Sequence, residues 1–106
     1  MRTRGVFYHR TSRQNAARII RDGFRDGIDG YLTETVHKGV WLSDRPLDEN
    51  DGARGDTLLL VASLEPWSFF AKFEWIEEGK AYREWLVPAS VINDRCAISY
   101  AAADEE

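Results

Sequence analysis

The run Gly5-Val-Phe-Tyr-His9, with Arg10-Thr-Ser12 after it and a helical pattern that stops at Gly23, constrains this chain more than any other part of it. Aromatic and β-branched residues in a short run read as a strand. Thr11 or Ser12 offers a side-chain oxygen to the unpaired amides of a following helix. Ala16, Ala17, Ile19 and Ile20 then recur at helical spacing with arginines on the other face. Gly23 closes the helix, because glycine tolerates positive φ where other residues are strained. A strand that turns directly into an amphipathic helix requires a sheet layer for that helix to cover, and the rest of the chain has to supply it.

The remaining pattern supplies short strands. Gly39-Val-Trp-Leu-Ser43 reads as a strand closed by Asp44-Arg-Pro46, and Thr57 to Leu64 as a central strand apolar on both faces. Trp67 to Ile76 matches a helical and an alternating template at once, and is expected to be a short helix followed by a strand. Glu77 to Lys80 reads as a turn, Glu84-Trp-Leu-Val87 as a strand stopped by Pro88, Ala89 to Asn93 as a turn, and Arg95 to Tyr100 as the last strand. Gly27 to Lys38 and Leu47 to Asp56 read as loops, the second acidic and glycine-containing. One clear helix early and strands thereafter give an α+β class rather than a doubly wound sheet.

With 106 residues and 43% hydrophobic content, a single domain spanning residues 1–106 is expected. Cys96 is the only cysteine, so the chain has no internal disulfide and no multi-cysteine zinc site, which fits a reducing, cytoplasmic setting. The charged start Met1-Arg-Thr-Arg-Gly5 leads into no apolar run, so no signal peptide is expected, and Leu58-Leu-Leu-Val-Ala62 is far too short for a membrane span. The net charge of −4 weighs against a generic nucleic-acid binder, although seven arginines fall within the first 25 residues. Those arginines suit an anionic ligand and a solvated helix face about equally.

Three motifs carry the functional reading when taken in order: Val6-Phe-Tyr-His9-Arg-Thr-Ser12 with Gly23-Phe24 after the helix; Gly30-Tyr31 with Lys38-Gly-Val-Trp41-Leu-Ser43-Asp44; and Arg83-Glu84-Trp-Leu-Val-Pro88 running on to Tyr100. Singly, each has a plain structural explanation: a polar strand end, a packed aromatic, an exposed edge carboxylate. Together they resemble the NAD-binding core of the ADP-ribosyltransferase superfamily, in the branch with a His–Tyr–Glu signature. The resemblance spans about residues 6 to 100 and implies a split β-sheet core with one main N-terminal helix. It also implies an NAD-dependent transferase that cleaves the nicotinamide–ribose bond and passes ADP-ribose to an acceptor the sequence does not identify, whether protein, nucleic acid or small molecule.

On that resemblance, Glu84 is the catalytic residue, and His9, Arg10, Thr11, Trp41 and Ser43 contact NAD. His9 would bond the adenosine-side ribose hydroxyls, the Arg10 backbone would meet the carboxamide, Thr11 would sit near a ribose or the amide, and Trp41 would stack on the nicotinamide ring. The chemistry suits these residue types. Cleavage develops oxocarbenium character that a preorganised carboxylate stabilises, an aromatic wall orients the leaving ring, and an imidazole offers one donor and one acceptor to a vicinal diol. No metal is expected. Two positions depart from the family pattern: Arg10 stands where it has glycine, and Trp41 where it has tyrosine. These departures motivate a second expectation, a non-catalytic nucleotide- or protein-binding module on the same fold. A third reading, the NAD-consuming RNA 2′-phosphotransferase activity, would need converging basic residues where the later strands carry Glu84. Trp67, Trp75 and Trp85 are expected in the core, Cys96 as a buried small hydrophobe, and His37 as a solvated loop residue or one lining the pocket mouth.

Overall fold

Strand β1 (Arg4–Thr11) leads through Ser12 into helix α1 (Arg13–Asp22) in a computed structural model that describes residues 3–29, 37–47 and 55–101. Ser12 caps α1, its side chain accepting the Asn15 amide at 3.1 Å, and Gly23 ends it with φ 88° and its amide on the Ile19 carbonyl. The ψ of 173° takes Gly23 straight into extended chain instead of the left-handed helical conformation expected of it. Then follow β2 (Gly27–Asp29), β3 (His37–Ser43), β4 (Thr57–Pro66), a 3-10 helix (Trp67–Phe73), β5 (Glu74–Trp75), β6 (Glu84–Val87), α2 (Ala89–Arg95) and β7 (Cys96–Tyr100).

Six strands form one antiparallel sheet in the order β5-β6-β3-β1-β4-β7, with β2 paired to the first residues of β3. The class is α+β. Register fixes which side chains share a face. Phe7 lies opposite Val61, and Leu42 opposite Trp85, so these residues point to one side with Val40, Leu59 and Val87. That side is the core: all seven are buried, together with Ala16 and Ile19 of α1, Phe70 of the 3-10 helix, and Ala89 and Ile92 of α2. Phe7 is its centre, meeting Trp67, Phe70 and Trp85 edge to face at 4.8–4.9 Å.

Four sequence expectations are corrected. The Ala89–Asn93 turn is a helix, α2, whose first amide is capped across the chain by Asp26 Oδ1 at 2.7 Å. The Gly27–Lys38 loop contains β2 and the start of β3; its residues 30–36 lie outside the described part, as do residues 48–54 of the acidic loop and the side chain of His37. β4 is not covered on both sides. Leu59, Val61 and Ser63 are buried, whereas Leu58, Leu60 and Ala62 are half-buried and Leu64 is 66% exposed, because the helices pack on one face only. Trp85 and Trp67 join the core, but Trp75 lies on the opposite face and is partly exposed.

Asn93 of α2 ties the fold together from a distance. It accepts the Phe24 amide on Oδ1 at 2.9 Å and donates from Nδ2 to the Phe24 carbonyl at 3.0 Å. The segment leaving α1 is thereby fixed against α2, and Phe24 is held buried beside His9, ring centroids 5.1 Å apart.

Candidate functional site: a fork between β1 and β3

Two adjacent strands of the central sheet part company at His9. β1 bridges β3 at Tyr8 and Ser43, and no further β1–β3 bridge forms among the described residues, whereas β1 stays paired with β4 as far as Thr11. Continued register would set Arg10 opposite Trp41. Instead the His9 imidazole takes the Trp41 carbonyl, Nδ1 donating at 2.8 Å. Because the partner is a carbonyl, Nδ1 carries the proton and Nε2 is left as an acceptor in the neutral ring. Burial lowers the His9 pKa below its usual value, against a smaller opposing effect of the Trp41 hydrogen bond, so the ring is neutral at pH 7. The fork leaves a strand-type amide and carbonyl of Arg10 without a β3 ladder partner.

Trp41, Ser43 and Glu84 share the face opposite the helices. Ser43 pairs with Glu84 and Trp41 with Leu86, so Trp41 and Glu84 are diagonal neighbours on adjacent strands. Trp75 is paired with Glu84 from the other side and meets the Trp41 ring edge to face, with centroids 5.4 Å apart and planes at 80°. Glu84 is 15% exposed, and its Oε1 accepts the Lys80 ammonium at 2.8 Å. Lys80 also pairs with Glu77 at 3.0 Å and lies 5.2 Å from the Tyr82 ring centroid. Burial opposes the charge on Lys80, but the hydrogen bonds to Glu84 and Glu77 outweigh it and raise its pKa. Glu77 is held below its usual range, first by the hydrogen bond from Lys80, and it also accepts the Trp75 indole N–H at 3.0 Å.

The remaining expected residues are placed as follows. Arg10 follows the parity of Tyr8, so it lies on the Trp41 and Glu84 face, with Nε donating to the Leu47 carbonyl. Thr11 ends β1 opposite Thr57, its backbone covered by Gly55. Ser43 is buried and donates to the Arg45 carbonyl at 2.8 Å, a turn-closing role that employs its one hydroxyl proton. Asp44 joins β3 to β6 by exchanging bonds with Arg83, each 3.1 Å. His9 stands apart. Its parity puts it on the helix-covered side with Leu59 and Phe24, and what links it to the other cluster is the Trp41 carbonyl.

Trp75, Glu77, Lys80 and Tyr82 were not named as site residues from the sequence, which placed Trp75 in the core and Glu77 to Lys80 in a turn. The signal was present in the spacing: Glu77, Lys80 and Glu84 stand three and four residues apart. Cys96 is half-buried, its thiol pushed up first by burial and partly offset by a hydrogen bond with Ser63, as expected of a small packed residue and not of a nucleophile. Among the described residues, no group of three or more His, Cys, Asp or Glu is arranged to hold a metal, and no helix is long and apolar enough to cross a membrane. Comparison with protein-family models, with curated proteins and with solved structures gave no match.

Proposed function

We propose that the fork between β1 and β3 binds NAD and that Glu84 promotes cleavage of the nicotinamide–ribose bond, with transfer of ADP-ribose to an acceptor. The observation that carries this reading is the interruption of the ladder at His9, beside the face that holds Trp41 and Glu84 as neighbours. A strand residue without a ladder partner presents an N–H and a C=O side by side, the complement of a carboxamide, and among the described residues Arg10 has no partner on β3. Trp41 lies on the face that Arg10 follows, and its ring would be the stacking wall.

In the reaction, the bond between ribose C1′ and the ring nitrogen breaks with its electron pair going to nicotinamide, which leaves neutral. The acceptor's lone pair forms the new bond to C1′, and the acceptor loses a proton. Positive charge grows on the ribose ring between these events, and the Glu84 carboxylate is the fixed negative charge that stabilises it. With water as acceptor, the products are ADP-ribose, nicotinamide and a proton.

The test is incubation with NAD labelled in the nicotinamide ring, comparing wild type with Glu84→Ala. Release by wild type that falls by roughly a hundredfold or more in the variant is the expected result, the scale of losing one electrostatic stabiliser. Equal background release in both defeats the reading. Two observations favour a non-catalytic binding module instead: Glu84 is already engaged by Lys80, and His9 faces the helix side. Calorimetric binding of NAD or ADP-ribose without nicotinamide release would select that alternative.

A further inference from the structure

The Lys80 ammonium is a group of this cluster that the proposed chemistry leaves idle, and it sits on the carboxylate that the chemistry needs. It bridges two carboxylates of different character: Glu84, whose side chain is 15% exposed, and Glu77, whose side chain is 53% exposed. Both pairs are close, 2.8 and 3.0 Å, and the outer carboxylate is held in place by the Trp75 indole. A lysine on its flexible stem moves from sharing both to resting on Glu77 alone without any strand moving.

We propose that Lys80 is an internal counterion that quenches Glu84 in the resting protein and retreats to Glu77 when a positively charged ring takes its place. This rests on Glu84 being the reactive carboxylate. A carboxylate neutralised by an ammonium at 2.8 Å stabilises a growing cation poorly, and the nicotinamide ring of NAD arrives with a positive charge of its own. The edge-to-face corner of Trp41 and Trp75, paired in register with Leu86 and Glu84, offers aromatic faces that attract a flat cation beside the same carboxylate. The device makes entry of a cation and exposure of Glu84 one event.

Two substitutions separate the parts. Lys80→Met keeps the stem and removes the charge; it raises kcat/KM for nicotinamide release from NAD by roughly twofold to fivefold, the scale of a partly exposed ion pair. Glu77→Gln removes the outer seat, leaves Lys80 fixed on Glu84, and lowers kcat/KM. A merely structural lysine gives the opposite for Lys80→Met, an unchanged or reduced rate with a lower Tm. A second readout does not require turnover: binding of the N-methylnicotinamide cation, followed by quenching of tryptophan fluorescence. Lys80→Met tightens that binding and Glu84→Gln weakens it. If Lys80→Met binds the cation no more tightly than wild type, the counterion proposal is overturned whatever the turnover. If it binds more tightly but no variant releases nicotinamide, the transferase reading falls and only the exchange of Lys80 for a bound cation at Glu84 stands.

Discussion

Asn93→Ala tests how the segment after α1 is held in place. The side chain makes two hydrogen bonds to the backbone of a residue 69 positions away, at 2.9 and 3.0 Å, and that residue, Phe24, is buried against His9. Each bond contributes about 1 kcal/mol. Asn93 itself is exposed, so water replaces part of what is lost, and the expected destabilisation is about 1–2 kcal/mol. At roughly 4–8 °C per kcal/mol for a domain near this size, Tm falls by about 4–16 °C. Asn93→Asp keeps the acceptor for the Phe24 amide but turns an acceptor toward the Phe24 carbonyl, so it loses at least as much. The assay is urea unfolding with a thermal scan, alongside amide exchange at Phe24. A loss under about 0.5 kcal/mol, with Phe24 exchange unchanged, refutes the claim that this clamp holds the segment.

Three further outcomes are expected. Phe7→Ala removes the ring that meets three others at 4.8–4.9 Å and costs about 3–5 kcal/mol, a large share of the roughly 5–15 kcal/mol that holds a domain folded; a shift of the urea midpoint worth under 1 kcal/mol contradicts the packing described. His9 has a native pKa lowered from 6.5 by burial, so the unfolded chain binds the proton first: its contribution to stability is full above about pH 6.5 and is lost as pH falls through the lower native value. His9→Gln lacks that loss, and parallel stability–pH curves for the two proteins between pH 7 and 5 would falsify the assignment. Gly55→Ala places a Cβ 2.3 Å from the Thr11 backbone at φ +114°, so it costs upwards of about 1 kcal/mol and displaces the Thr11 amide resonance; an unchanged spectrum argues against this approach.

The local pattern was legible wherever one short stretch held all the information. Ser12, the Ala16–Ile20 stripe and Gly23 sufficed for α1, and the break at Pro88 marked the end of β6. α2 was hidden because its seven residues include Ser, Asn and Asp, and because its cap, Asp26, lies 63 positions away. β2 was hidden because Gly-Ile-Asp carries no alternation of its own. Within the site, the strands that carry Trp41 and Glu84 were read from the sequence, but their pairing, which makes the two residues neighbours, came from the structure. The fork did not follow: a strand's departure from its neighbour at His9 is a property of register between segments far apart in the chain. Nor did sequence order reveal that His9 and Trp41 point to opposite faces, since parity is set by the Tyr8–Ser43 bridge and not by either motif.

The central claim, that the fork at His9 is an NAD site served by Glu84, is met most directly by a crystal structure of the protein with NAD bound to Glu84→Gln. The expected complex has the carboxamide on the Arg10 backbone, the nicotinamide ring against Trp41, and residue 84 facing the nicotinamide ribose. NAD bound away from the β1–β3 fork, or β1 and β3 closed into a continuous ladder past Tyr8 and Ser43, contradicts it.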